Sequence, residues 1–294
     1  VTRKSGWRLV GRALLGAAAL AALGLACSLG WLKLHENELV FQTARSHLRA
    51  TQSLPADAER ITLTPAAGAS VAGALYRADP ASDNGYWVLH FHGNADSAFS
   101  KWQIRDCEAL RRIGFGVLDI DYRGFGLSPG TASEPGMYED AEAAFQALLE
   151  RKVPQNRIII WGHSLGSGPA VMLASRHHAA ALVLFGAFTS LPDAAADAYP
   201  GLPVRWLTAE GFDSIDRIAA VHMPVVIAHS RADTLIPYRH ALRLFAAAHE
   251  PKRLLTLDGV AHDGYGGHVD ALYDHLDLLA AQLAQLLPGI SAPR

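Results

Sequence analysis

Three observations predict an α/β fold built on a mainly parallel central sheet. Short, almost continuously apolar runs recur along the chain, helical patterns alternate with them, and half of the 294 residues are hydrophobic against 18% charged. Runs apolar on both faces belong to strands that are covered on both sides, and the intervening helices supply the cover. The same composition excludes a disordered or fibrous chain.

The first element stands apart from the rest. Residues 1–12 are basic, with Arg3, Lys4, Arg8 and Arg12, and Ala13 to Leu32 then runs for 20 residues without a charge. At 1.5 Å per residue a helix of that length spans about 30 Å, the thickness of a bilayer core. Trp7 and Trp31 flank the run as interfacial anchors would. Residues 13–32 are therefore expected to be a single-pass membrane anchor. The positive-inside rule places residues 1–12 in the cytoplasm and the remaining chain on the far, periplasmic or extracytoplasmic side. A cleaved signal competes with this reading, since Leu25-Ala26-Cys27 resembles a lipoprotein cleavage site, although Gly24 stands where a large aliphatic residue is expected. A buried soluble helix conflicts with apolarity all round.

The overall charge is −2, from 26 basic and 28 acidic residues, but residues 1–35 hold five of the basic residues and none of the acidic ones. The rest of the chain is thus acidic, which argues against nucleic acid as a partner. Two cysteines, Cys27 and Cys107, cannot build a disulfide framework.

Residues 33–59 are polar and mixed, and are expected to form a juxtamembrane connection; residues 60–290 read as one catalytic domain. Strands are expected at 60–65 and 71–78, as an early hairpin turning at 67–69, and at 86–93, 115–124, 157–164, 180–186, 224–230 and 252–259. Helices are expected at 100–113, 137–152, 166–177, 238–249 and 269–287. In the second of these, Met137, Ala141, Ala144, Phe145, Leu148 and Leu149 recur at three- and four-residue spacing, a core-facing stripe. Residues 187–222 form a short helical excursion, too small for a full cap domain. Its Tyr199, Trp206 and Phe212 are candidates either to border an acyl pocket or to pack the core.

The sharpest chemical signal is Gly162-His163-Ser164-Leu165-Gly166, placed between a strand and a helical pattern. Strand, G-x-S-x-G and helix together make a nucleophile elbow, a turn so sharp that the flanking positions tolerate only glycine. A second match, Gly126-Leu127-Ser128-Pro129-Gly130, lacks a strand leading straight into it. Its serine is followed by Pro129, which has no N–H to offer a substrate oxygen. Ser128 is read as a turn residue and Ser164 as the nucleophile.

A serine hydroxyl needs a base, and the base needs an orienting acid. In this arrangement the chain order is Ser, acid, His. Asp233 follows the strand at 224–230 and His262 follows the strand at 252–259, both in loops at the sheet edge that holds the elbow. Rival bases are His268 and His275; rival acids are Asp213, Asp216 and Asp258. For the oxyanion, the backbone N–H groups of Asn94, in the loop after the strand at 86–93, and of Leu165 are the candidates. His90 and His92 form an H-x-H pair that could suggest a metal, but no third ligand accompanies it, and a role in buttressing the oxyanion loop is preferred. Arg123 and its neighbouring glycines are read as ordering their own loop. No cofactor and no metal are expected.

These residues resemble the α/β-hydrolase fold serine hydrolases, and within them the membrane-anchored α/β-hydrolase domain-containing group. The resemblance is carried by FHGNAD (91–96), DYRGFGLSPG (121–130), SEPGMYEDAEAAF (133–145), GHSLGSGPA (162–170), AFTSLPDAAADAYPGLPV (187–204), FDSIDRI (212–218), RADTLIP (231–237) and GVAHD (259–263), and covers residues 55–290. It implies an α/β-hydrolase fold behind a membrane anchor, with Ser164 as nucleophile, Asp233 as acid and His262 as base. One departure is Ser230, near which relatives usually carry a glycine.

The expected activity is hydrolysis of carboxylic ester or thioester bonds in lipid-like acyl substrates through an acyl-enzyme. A peptidase or amidase on the same triad and a non-catalytic scaffold are the alternatives. Dehalogenase or epoxide hydrolase chemistry would need a carboxylate at position 164.

Overall fold

The computed structural model describes residues 3–290 apart from 51–52, 67, 203, 207–208, 260–261 and 263–272. Its strands are β1 (Ala58–Leu63), β2 (Val71–Tyr76), β3 (Tyr86–Phe91), β4 (Phe115–Ile120), β5 (Ile158–His163), β6 (Ala181–Phe185), β7 (Val225–Ser230) and β8 (Lys252–Leu257). They form one sheet in the order β1-β2-β4-β3-β5-β6-β7-β8. Each expected strand is present. The sheet is parallel from β4 to β8, while β2 pairs antiparallel with both β1 and β4, with Leu75 opposite Leu118. This is the α/β-hydrolase fold.

Alternation along the buried strands divides the core into two layers, as the two-residue period of a strand requires. Leu89, Phe91, Ile158 and Ile160 face one layer with Leu118 and Leu184. Val88, Ile159 and Trp161 face the other with Val117 and Val183. The first layer is covered by helices α5 (Glu134–Glu150), α6 (Ser167–Arg176), α8 (Ser214–Arg217) and α9 (Arg239–Ala247), and the second by α4 (Lys101–Arg112) and α10 (Tyr273–Leu286). The predicted stripe of α5 is buried from Met137 to Leu148. That helix begins three residues earlier than its apolar pattern does, because the Ser133 side chain accepts the Gly136 N–H and Pro135 sits in the first turn. Helix α7 (Leu191–Ala198) and α8 make up the excursion at 187–222.

Helix α1 (Arg3–Leu34) contains a stretch, Arg12–Leu34, long and apolar enough to cross a membrane, and none of it is buried against the rest of the molecule. The segment after it is the one expected to form a connection. It folds into α2 (Glu36–Val40) and α3 (Thr43–Arg49) and docks on the domain through Phe41, which is 2% exposed and lies edge-on to Phe125 and Phe212. Phe41, with Val40 packed beside it, is enough to seat the strap, but so short an apolar run leaves no periodic pattern.

Candidate active site

Parallel strands bring their carboxyl ends to one edge, and the site assembles there. Strand β5 ends at His163, and Ser164 follows with φ +50°, a left-handed conformation that few non-glycine residues adopt. The turn is possible because its flanking glycines leave no room for a side chain. A Cβ on Gly166 would lie 2.0 Å from the Phe91 carbonyl oxygen, and one on Gly162 2.6 Å from the Gly166 oxygen. Helix α6 starts just beyond the turn, and its N-terminal N–H groups and dipole are directed toward the Ser164 region.

The structure brings Ser164, His262 and Asp233 together across 98 and 29 residues of chain. Ser164 Oγ is 2.7 Å from His262 Nε2. His262 Nδ1 is 2.7 Å from Asp233 Oδ2. The other carboxylate oxygen, Oδ1, accepts the backbone N–H groups of Leu235 (3.0 Å) and Ile236 (2.8 Å). His229 Nε2, which donates to the Ile236 carbonyl at 2.8 Å, also approaches Asp233 Oδ2 at 3.2 Å. Burial would raise the Asp233 pKa, but the bonds from His229, His262 and the Ile236 N–H outweigh it and hold the group well below the usual carboxylate range. Asp233 is therefore ionised at neutral pH. Gly186, at φ +57°, carries the loop after β6 close under the imidazole: an added Cβ would be 3.4 Å from His262 Cε1.

The loop after β3 passes beside Ser164. A Cβ on Gly93 would lie 3.2 Å from His163 Nδ1 and 3.4 Å from Ser164 Cβ, so the backbone leading into Asn94 approaches as closely as it can. Leu165, on the other side, is buried. The Asn94 side chain turns toward α2 and α3, where Nδ2 donates to the Val40 carbonyl (2.6 Å) and Oδ1 accepts the Gln42 N–H (2.8 Å).

The histidine pair at 90 and 92 lies against buried carboxylates behind this loop. His90 Nδ1 lies 3.1 Å from Asp119, directly opposite it in the β3–β4 register, and His92 Nε2 lies 3.4 Å from Asp121. Burial alone would favour neutral His92, yet its contact with Asp121 raises the pKa to about 9. Among the described residues no group of three or more His, Cys, Asp or Glu side chains is placed to hold a metal ion. His163 is buried beside His262, with ring centroids 6.1 Å apart; burial, then the neighbouring charge of His262, lowers its pKa to about 4.

The remaining candidates lie elsewhere. Ser128 is buried, its hydroxyl donating to the Asp121 carbonyl (2.7 Å) and accepting the Ala72 N–H (2.9 Å), which makes it a fastener between β2 and the loop after β4. Arg123 is spent on Asp140 (2.7 Å) and Glu139 (2.9 Å). Asp258 is exposed beside Arg231, Asp213 precedes α8, and Asp216 lies within it. His275 sits on α10, and His268 lies outside the described residues. In the excursion, Phe212 is fully buried, packed on Phe188, Tyr138 and the Cα of Gly168, whereas Tyr199 is 59% exposed. The Trp206 side chain lies outside the description. A cavity of about 710 Å³ opens between β1 and α5, near Thr62, Tyr138 and Glu142, and none of Ser164, Asp233 and His262 lines it. His229 was not legible as a site residue: a histidine inside an apolar strand run carries no mark of the carboxylate it will meet.

A family profile described as serine aminopeptidase, S33, matches residues 84–214. An uncharacterized protein of Mycobacterium tuberculosis is 41% identical over 192 residues, which cover 65% of this chain and 68% of that one. Human alpha/beta hydrolase domain-containing protein 17B is 33% identical over 193 residues, 64% of this chain and 65% of its own. Among solved structures, an esterase of Pyrococcus furiosus superposes with a TM-score of 0.64 at 17% identity, over 82% of this chain and 97% of that one.

Proposed function

The chain belongs to the α/β-hydrolase domain-containing family, and on that premise we propose that it is a serine hydrolase cleaving carboxylic ester or thioester bonds of lipid-like acyl substrates. The observation that carries the proposal is the unbroken relay from Ser164 Oγ to His262 Nε2 and from His262 Nδ1 to Asp233 Oδ2, each step 2.7 Å long.

The roles follow from the proton positions. An ionised Asp233 accepts the proton of His262 Nδ1, which leaves Nε2 with a lone pair directed at the Ser164 hydroxyl. Nε2 takes the hydroxyl proton as Oγ attacks the substrate carbonyl, and Asp233 stabilises the imidazolium that forms. The N–H groups of Asn94 and Leu165 receive the oxyanion, each worth ~3 kcal/mol of transition-state stabilisation. The imidazolium then protonates the leaving alkoxide or thiolate. Water, deprotonated by the same nitrogen, cleaves the acyl-enzyme. No cofactor enters the scheme.

The substrate assignment rests on the esterase-like fold neighbours and on the apolar helix α1, which would hold the domain at a membrane surface where acyl lipids are concentrated. The basic residues before that helix support a cytoplasmic N-terminus and a domain on the far side. The name of the matching family profile favours a second reading, amide or peptide cleavage by the same three residues.

The test is turnover of p-nitrophenyl esters of increasing chain length, and of the matching anilides, by the full chain in detergent. Ester turnover that falls by about 10³-fold or more in Ser164→Ala supports the proposal. Turnover unchanged in that variant removes it, and anilides cleaved as fast as esters would establish the peptidase reading instead.

A further inference from the structure

We propose that the Asn94 side chain is a positioning residue, through which the strap of residues 36–46 holds the oxyanion loop in its working shape. The inference rests on the reading of Ser164 as nucleophile and extends the site to a segment of chain about fifty residues earlier.

The loop needs an external hold. Ala95, next to Asn94, has φ +63°, a left-handed backbone that costs an alanine what it would not cost a glycine. Such a conformation persists only where its surroundings over-determine it. Here they lie in the strap. Both ends of the Asn94 amide are used by it, Nδ2 on the Val40 carbonyl and Oδ1 on the Gln42 N–H, and Oδ1 also receives the Ala95 N–H at 3.2 Å. One residue on, the buried Ser46 hydroxyl donates to the Asp96 carbonyl and accepts the Gly126 N–H at 2.8 Å. His47 Nδ1 donates to the Gly126 carbonyl at 2.6 Å.

The strap is itself fixed at its other end. Glu36 accepts the Ala209 N–H, and Asn37 donates to the Ala132 carbonyl at 3.0 Å. Phe41 sits between Phe125 and Phe212. Three loops at the carboxyl edge of the sheet are thereby tied to one short segment. The loop that carries the oxyanion N–H is the one held by a side chain whose amide is bonded to the strap at both ends.

A strap that merely stabilises the fold would lower the melting temperature and leave the chemistry of the folded fraction intact. A strap that positions the oxyanion N–H acts on the transition state and leaves substrate binding alone, since the donor is needed only when charge develops. The experiment separates these on the full chain in detergent, with rates normalised to the fraction labelled to completion by a fluorophosphonate.

Two variants break the tie from opposite sides. Asn94→Ala removes both bonds from the loop. Gln42→Pro removes one donor from the strap without touching the loop. Proline is tolerated there, since Gln42 has φ −82° and the preceding Phe41 is extended, with φ −100° and ψ 113°. Leu48→Ala, on α3 just beyond the strap and 87% exposed, is the control.

The expected result is a fall in kcat of about 10- to 100-fold in both tie-breaking variants, the scale set by small displacements of a catalytic group. KM should stay within about twofold, and affinity for an alkyl boronic acid, which places an anionic oxygen in the hole, should fall in parallel with kcat/KM. Asn94→Asp keeps an acceptor for the Gln42 N–H and should retain more activity than Asn94→Ala. A lower melting temperature with kcat unchanged in Gln42→Pro would overturn the proposal, even if Asn94→Ala failed to fold. Activity surviving in Ser164→Ala would instead remove the reading of the nucleophile, a distinct outcome from loss of the tie.

Discussion

Replacing Asp233 by asparagine tests the proton relay through its geometry. The substitution is isosteric, and the orientation of the new amide is dictated by its neighbours. Position Oδ1 accepts two backbone N–H groups, from Leu235 and Ile236, so the amide oxygen must take that place. The NH₂ group then occupies the Oδ2 position, 2.7 Å from His262 Nδ1 and 3.2 Å from His229 Nε2. An NH₂ group can only donate, so His262 Nδ1 must give up its proton and accept. The proton moves to Nε2, which then faces Ser164 Oγ as a donor and can no longer take the hydroxyl proton. His229 makes the alternative flip no better, since its Nε2 proton is already directed at the Ile236 carbonyl.

The imidazole is therefore held in the unproductive tautomer. The loss expected for a mis-set triad histidine is about 10⁴-fold in kcat, or about 5 kcal/mol of transition-state stabilisation. The assay is ester turnover by the full chain beside Ser164→Ala, with fluorophosphonate labelling rates as a second readout. Labelling should slow with turnover, because both require a deprotonated Ser164. A variant that keeps turnover within about tenfold of the parent would refute the reasoning, for it would show that Asp233 does not select the His262 tautomer.

Three further outcomes follow from buried groups of the domain. Ser128→Ala leaves the buried Ala72 N–H without its acceptor, so it should destabilise the fold by about 1–3 kcal/mol in urea titration while the remaining folded protein labels with fluorophosphonate at the parental rate. His163, whose folded pKa is lowered to about 4 from 6.5, binds its proton less readily in the folded state. Stability should therefore rise with pH across that interval, by up to roughly 3 kcal/mol, and His163→Gln should remove the rise. His92, raised to about 9, acts in the opposite sense: its contribution is full below pH 6.5 and is lost as pH rises through about 9, so urea midpoints should decline over that range and do so less in His92→Gln.

Much of this architecture could be read from the chain because its signals are local. Strands β3 to β7 are buried on both faces and appear as almost continuous apolar runs, such as Ile158-Ile159-Ile160. Ser164, Asp233 and His262 each follow a strand, and the parallel sheet collects such positions at one edge. What could not be read depends on pairing across long separations. The antiparallel β2–β4 contact matches two apolar runs without marking direction in either. His229 meets Asp233 only because β7 turns sharply after Ser230. The strap at 36–46 looks like a polar connection, because a single buried Phe41 and a set of backbone bonds hold it in place.

The two left-handed residues beside the site make the same distinction in energetic form. Ser164 at φ +50° and Ala95 at φ +63° lie on the two loops that would supply the oxyanion donors, and a non-glycine residue held there costs of order 1–3 kcal/mol. At Ser164 the compensation is local. Gly162 and Gly166 admit the turn, and β5 and α6 lock it from either side, so the constraint is written as G-x-S-x-G within five residues. At Ala95 the compensation comes from Val40, Gln42 and Ser46, whose contribution is mostly backbone hydrogen bonding and so carries almost no residue-type signature. The sharp turn at Ser164 can thus be recognised from sequence, whereas the hold on the loop opposite it is visible only in three dimensions. Substitutions in that strap should accordingly affect catalysis in proportion to how they disturb Asn94, and not to how conspicuous the altered residue is.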